Sequence, residues 1–205
     1  MFINGELIKK SENEFIVPKG QRAELTLDIA SISSKIQFHI LDGAYLFLRT
    51  RITGSSSFAC DCFLEGEGAK VDCITVVLAE NSDVVKTRSN VHHLVSSTHS
   101  RLLSKGVAYG HSQIDFLAFA GIQSAAAKST SKVDLKALIM DEDAKIRADP
   151  VLEILNNDVS CTHSASVTEI SPKKLFYIQS RGLSEETSRR MVVDGFLAGG
   201  VCFGF

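Results

Sequence analysis

From Ala23 to about Val167 the chain is a succession of short β-branched or alternating runs, and this constrains its fold more than any other feature. The runs AELTLDI, KIQFHI, AYLFLRTRI, KVDCITVVLA, SQIDFLAF, VDLKALIM and PVLEI have the composition and period of strands. No stretch before Pro172 carries helical periodicity, which argues against alternating strands and helices. Turn tokens separate the runs: Asp42-Gly43-Ala44, Glu67-Gly68-Ala69, Asn81-Ser82-Asp83, Lys105-Gly106, Ala120-Gly121, Glu142-Asp143-Ala144 and Asn157-Asp158. Asp28, Gly68, Gly106 and Asp143 form one series, and Gly43, Ser82, Gly121 and Asp158 another. Each steps by about 37 to 40 residues, inside the window of repeat architectures. Stacked coils produce such a pattern because one coil cannot bury its apolar face alone. The expectation is a mainly β protein built as a β-solenoid, with an antiparallel sandwich as the alternative.

After Val167 the character changes. Ser171-Pro172 is a helix start, with Ser at the N-cap and Pro at the first helical position, and Gly182 is a stop. A second helix starts at Ser184, with Glu185 and Glu186 placed to favour its dipole. The chain thus divides into a β core over 1–170 and a helical segment over 171–205. Leu175, Phe176, Tyr177, Ile178, Met191, Val192 and Phe196 are more apolar surface than two short helices can hide. Either they pack on the end of the solenoid, where strand edges are otherwise exposed, or they dock another protein.

Lys and Arg number 22 against 24 Asp and Glu, with no run of one sign, so no footprint for nucleic acid or an anionic membrane is present. No apolar run approaches the roughly 20 residues of a membrane span, and charge interrupts the first residues too soon for a secretory signal. A cytoplasmic location is expected. Five cysteines, Cys60, Cys62, Cys73, Cys161 and Cys202, read as reduced thiols. Cys60 and Cys62 share a strand face, which is compatible with thiolate metal binding. Without paired Cys-x-x-Cys spacing, however, the first three read as structural residues of apolar strands. His92, His93, His99 and His111 show no ligand spacing.

From Asp149 the chain reads DPVLEILNNDVSCTHSASVTEISPKKLFYIQSRGLSEETSRRMVVDGF. Pro150 with Leu152-Glu153-Ile154, Asp158-Val159, Cys161, His163, Ala165, Leu175-Phe176-Tyr177, Ser180-Arg181-Gly182-Leu183 and Gly195-Phe196, in this order, resemble the conserved end of the SufB/SufD family, nearer to SufD. Weaker echoes lie upstream in Val91-His92, Thr98-His99-Ser100, Lys105-Gly106-Val107, Phe119-Ala120-Gly121-Ile122 and Leu138-Ile139-Met140. The resemblance covers roughly Val71 to Phe196. It implies a right-handed parallel β-helix followed by a short α-helical segment that binds SufC, an ABC-type ATPase. The assembly would make iron–sulfur clusters, with a second scaffold subunit, B-type or another copy, paired along the solenoid edge.

The resemblance also implies roles for single residues. His163 matches a histidine near the scaffold interface where the transient cluster is thought to form, and imidazole is a reasonable iron ligand. Cys161, two residues earlier on a strand, shares its face, although a small buried hydrophobe would occupy the position equally well. Phe176, Tyr177, Ser180, Arg181, Gly182, Leu183 and Phe196 are the expected ATPase contacts. B-type subunits carry a cysteine on the strand before the Pro-x-x-Glu element and a glutamate after the matching histidine. Here 137–146 has no cysteine and Ser164 follows His163. Relative to the family, the N-terminus is short and the helical segment ends early, in a glycine-rich stretch over 199–205 that is a poor helix. The expectation is a non-enzymatic, D-like scaffold subunit. The alternatives are a degenerate paralogue acting only in protein–protein contacts, or a polysaccharide-active β-helix enzyme, for which the scattered Asp72, Asp115 and Asp134 supply no paired carboxylates.

Overall fold

The computed structural model describes residues 2–198, with side chains from Asn4 onward. Strands β1 (Phe2–Gly5), β2 (Ile8–Ser11), β3 (Glu14–Val17), β4 (Arg22–Ala30), β5 (Ser33–Ile40), β6 (Tyr45–Thr53) and β7 (Ser56–Leu64) come first. There follow β8 (Lys70–Ala79), β9 (Val84–His93), β10 (His99–Ala108), β11 (Gln113–Ile122), β12 (Ser129–Ile139), β13 (Lys145–Ile154) and β14 (Val159–Glu169), then helices α1 (Pro172–Gln179) and α2 (Glu185–Ala198). From β3 onward the strands alternate between two sheets, ordered β1-β4-β6-β8-β10-β12-β14 and β13-β11-β9-β7-β5-β3-β2. All stacked pairs from β3 to β14 are parallel. The fold is a parallel β-solenoid closed at its start by the antiparallel strands β1 and β2.

The coil is shorter than the turn tokens suggest, and it lengthens along the chain. Arg22 pairs with Tyr45, a step of 23 residues, whereas His99 pairs with Thr130, a step of 31. The expected step of about 37 to 40 residues is therefore wrong. Asp28, Gly106 and Gly121 lie inside β4, β10 and β11, not at corners. Gly106 is small because a Cβ there would come within 2.6 Å of the Phe116 ring across the lumen, so a glycine can mark close packing as well as a turn. The true corners are marked by backbone handedness. Gly20, Gly43, Gly68, Ser97 and Lys128 turn the chain from one sheet to the other, and Ser31, Gly54, Asn81 and Gly110 turn it back, all with positive φ. Four of these nine are not glycine, so residue type alone did not reveal them.

Alternation fixes the core. In β6, Leu46, Leu48, Thr50 and Ile52 point inward and are buried, and the stacked strands add Phe38, Phe58, Val71, Leu102, Phe116 and Leu135. Thr50 Oγ1 is the one buried side-chain polar atom without a hydrogen bond among the described residues. An unsatisfied hydroxyl in an apolar lumen costs about 1–3 kcal/mol. Thr50→Val keeps the branched shape and removes that cost; it should raise stability by about 1 kcal/mol in urea denaturation.

The helices do not close the end of the solenoid, which was one expected position for them. They lie along its flank. Outward residues Ile74, Val76, Leu103, Val107, Leu138 and Met140 form a second core with Val193 and Leu197 of α2. The helix boundaries agree with the sequence: Ser171 precedes Pro172, Gly182 adopts a positive φ after α1, and Ser184 Oγ accepts the Thr187 N–H at the start of α2. Among the described residues no helix is long and apolar enough to cross a membrane. The glycine-rich stretch and Cys202 lie outside the described residues.

Candidate functional site

The two ends of the solenoid differ. At the start, β2 is a four-residue edge bearing Lys9 and Lys10, a device that discourages further strand pairing. At the other end β14 offers eleven residues in unbroken register with β12 and, among the described residues, no strand on its far side. It contains no lysine, no proline and no bulge, and its residues are exposed or half-buried. Its neighbour β13 is the matching edge of the second sheet. Val151, Ile154, Leu155 and Val167 are left exposed on this last coil.

Cys161 and His163 are on the luminal face of β14. Cys161 stacks on buried Ser131, and His163 on buried Val133, so the side chains lie on one face as their spacing suggests. Cys161 is half-buried and His163 exposed. Burial raises the Cys161 thiol above its usual range, partly offset by the Ser131 backbone hydrogen bond. Among the described residues no third His, Cys, Asp or Glu joins this pair within metal-binding reach. Two donors cannot complete an iron site, so any such site at this end must draw ligands from outside the chain.

Behind Cys161 runs a polar chain that sequence reading did not find. His93 is fully buried; its Nδ1 is 2.7 Å from Thr98 Oγ1 and its Nε2 is 2.8 Å from Ser100 Oγ. Ser100 Oγ lies 2.8 Å from Ser131 Oγ, and Thr98 Oγ1 lies 2.8 Å from Ser129 Oγ. Burial, then the nearby His99 and His92, pulls the His93 pKa down to about 4, so at neutral pH the ring is uncharged.

Deeper still, Cys60 and Cys62 of β7 meet Cys73 of β8. Their Sγ atoms are 3.7 Å apart between Cys60 and Cys62 and 3.8 Å between Cys62 and Cys73, all fully enclosed. The sequence placed these residues as separate structural cysteines. The structure brings them together because both strands point alternate residues into one narrow lumen. The signal available was the shared inward phase of Cys60, Cys62 and Cys73, but only the cross-sheet alignment joins them.

The tail is anchored by Lys105. This outward residue of β10 is 2% exposed, and its Nζ donates to the Phe196 carbonyl at 2.6 Å and the Leu197 carbonyl at 3.3 Å, the C-terminal end of α2. Burial and the neighbouring Lys136 lower its pKa. Phe196, expected as an ATPase contact, faces the sheet with its ring 5.4 Å from Lys105 Nζ. Arg189 fixes the other end of α2 by donating to Asp141 Oδ1 at 2.9 Å and the Met140 carbonyl at 3.1 Å. Phe176 and Tyr177, 71% and 61% exposed, stand free of the sheet. Ser180, Arg181 and Gly182 are exposed beside them, Leu183 is half-buried, and the Arg181 guanidinium lies over the Tyr177 ring. Lys105→Met keeps the aliphatic stem but removes the cap. It should loosen α2 by about 1–2 kcal/mol, read as faster amide exchange at 193–197.

The chain from 52 to 196 matches the family model described as "SUF system FeS cluster assembly, SufBD core domain". The chain belongs to the SufBD family. It is 32% identical over 136 residues to the iron–sulfur cluster assembly protein SufB of Bacillus subtilis (strain 168), covering 66% of this chain and 29% of that protein. It is 33% identical over 135 residues to the SufBD family protein ML0593 of Mycobacterium leprae (strain TN), covering 66% of this chain and 16% of that protein. A SufBD family protein of Staphylococcus epidermidis (strain ATCC 12228 / FDA PCI 1200) is 29% identical over 137 residues, covering 67% and 30%. The chain thus spans less than a third of the length of these SufBD relatives. The matched span runs from β6 through α2, so it holds the thiol cluster, the polar chain, the open edge and the anchored tail.

Proposed function

We propose that this chain is a non-enzymatic scaffold subunit of cytoplasmic SUF iron–sulfur cluster assembly. The open end of its solenoid would pair with a second scaffold subunit and its tail would dock a SufC-type ATPase. The observation that carries this reading is the uncovered β14 edge with Cys161 and His163 on its luminal face. An edge of this length without blunting devices favours strand-to-strand pairing. A partner seated there would add the missing donors, and the nascent cluster, the cargo of the assembly, would form between the subunits. Without the B-type cysteine in 137–146 and the glutamate after His163, the chain takes a D-like supporting part.

The tail supports the ATPase contact. Phe176, Tyr177 and Met191 expose apolar surface on α1 and α2. Gly195 sits inside α2 with open space around its Cα. No packing among the described residues calls for glycine there, and a bare backbone admits a close partner. Ser180, Arg181, Gly182 and Leu183 would complete the docking face, with Phe196 holding it to the sheet.

Co-expression with a SufC-type ATPase and a B-type subunit, followed by sizing, tests both contacts. Ser164→Lys with Ser166→Lys charges the edge strand and should abolish subunit pairing while leaving ATPase binding intact. Phe176→Ala or Arg181→Glu should do the reverse, weakening ATPase binding about tenfold or more. Anaerobic reconstitution with iron and sulfide should give a cluster spectrum only in the paired complex and lose it in His163→Ala. Pairing and docking indifferent to these changes would defeat the proposal, and failure of every combination to form a cluster would favour a paralogue limited to protein contacts.

A further inference from the structure

The buried sulfur triangle has no part in the pairing edge or the tail, and its chemistry does not depend on the assembly proposed above. Its sulfur atoms all lie within 4.8 Å of one another, with two separations of 3.7 and 3.8 Å. A metal bonded equally to three sulfurs at about 2.3 Å would hold them about 4.0 Å apart in one plane. The triangle is therefore already close to the size that a single three-coordinate ion demands. It is too tight and too enclosed for a multinuclear cluster: Cys62 stacks between Phe38 and Val91, and Cys73 between Leu48 and Leu102, all buried.

Coordination number selects the ion. No fourth His, Cys, Asp or Glu joins the three among the described residues, and enclosure at 4% exposure or less denies a water ligand. Zinc and iron in sulfur sites ordinarily take four ligands. Soft thiol donors in a three-coordinate, dry site suit Cu(I). The low-dielectric surroundings add a charge condition, since an uncompensated ion there is costly. Thiolates rather than thiols ligate metals, so binding costs deprotonation of all three cysteines, which strong bonds between soft Cu(I) and thiolate sulfur must offset. Ser89, in register with Cys60, supplies only a neutral hydroxyl, a poor donor to a soft ion.

We propose that Cys60, Cys62 and Cys73 form a buried site for one thiophilic d10 cation, Cu(I), held by three sulfurs. Binding makes three Cu–S bonds and releases three thiol protons to solvent, with no change in oxidation state. Because the site is enclosed, loading proceeds by opening of the β7–β8 coil or during folding.

The test uses the full chain under anaerobic reducing conditions, titrated with Cu(I) against a chromophoric Cu(I) chelator, both as purified and refolded in the presence of the ion. One equivalent should bind, X-ray absorption should show three sulfur neighbours and no nitrogen or oxygen, and the melting temperature should rise. Cys62→Ser and Cys73→Ser should lose the equivalent, while Cys161→Ser retains it. Circular dichroism of each variant establishes that it folds, and the absorption spectrum of the wild type does not depend on any variant. A tenfold excess of Zn(II) should not displace the copper. No uptake by either loading route, nitrogen or oxygen neighbours, uptake retained in folded Cys62→Ser or Cys73→Ser, or displacement by Zn(II) would each overturn the proposal.

Discussion

Gly66→Ala should destabilise the chain by more than about 3 kcal/mol, enough to remove most soluble folded protein at 37 °C. Gly66 is buried at the corner between β7 and β8, stacked on the corner between β5 and β6. Its N–H donates to the Ile40 carbonyl at 3.2 Å and its carbonyl accepts the Ala69 N–H at 3.1 Å. The next corner residue, Glu67, donates its N–H to Asp42 Oδ1 and accepts from the Gly43 N–H. A Cβ on Gly66 would fall inside the Leu41–Asp42 peptide, closer than real Cβ contacts come. The obstacle is backbone, so no side-chain rotation relieves it, and separating the corners would break the hydrogen bonds that stack the coils. Gly195→Ala is the matched control. With open space around Gly195 in a helix, it should gain about 0.5–1 kcal/mol. Urea denaturation of both variants measures the contrast; a Gly66→Ala protein as stable as wild type would show that the corners are not rigidly stacked.

Acidification from pH 7.5 to 4.5 should cost about 2.5 kcal/mol through His93 alone. The folded pKa is pulled down to about 4 by burial, against 6.5 in an unperturbed histidine. Between these values the unfolded chain binds the proton that the folded chain refuses. The His93 contribution is therefore fully present above pH 6.5, declines as pH falls through the window from 6.5 to about 4, and is lost below it. Two acceptor–donor contacts, to Thr98 and Ser100, hold the neutral ring, and nearby His99 and His92 oppose its charging. Carboxylates held below their usual range, such as Asp141 beside the Gly110 N–H and Arg189, add their loss only at lower pH. His93→Gln, which preserves donor and acceptor, should flatten the 6.5 to 4 window in urea denaturation. An unchanged slope would mean that the ring is not the group responsible.

The strands that sequence reading found are those whose inward and outward residues differ in hydropathy, as in AYLFLRTRI and SQIDFLAF. Those it passed over include β1, β2, β3, β9 and β10. In β9, VVKTRSNVHH, the inward residues include Thr87, Ser89 and His93, and the outward residues include Lys86, Arg88 and Asn90, so both faces look polar. Such a segment becomes a strand because ordered strands lie on either side of it and supply every ladder hydrogen bond, a condition absent from its own residues. At the open end, the spacing of Cys161 and His163 revealed their common face, but not that the face is luminal, nor that β14 ends its sheet among the described residues.

Local chemistry determined the class of this protein. Period-two runs without helical periodicity required strands, turn residues between them required repeated corners, and Ser171-Pro172, Gly182 and Ser184 set the ends of two helices, because each signal acts within a few residues. The order of motifs from Pro150 to Phe196 carried the family. Tertiary structure decided the coil length, the meeting of Cys60 and Cys62 with Cys73, the seating of α2 on the flank under the hold of Lys105, and the exposure of the β14 edge. Each of these depends on which residues, 23 to 32 positions or a full sheet apart, are stacked in register, and register is a property of the packed coils, not of any one run of sequence.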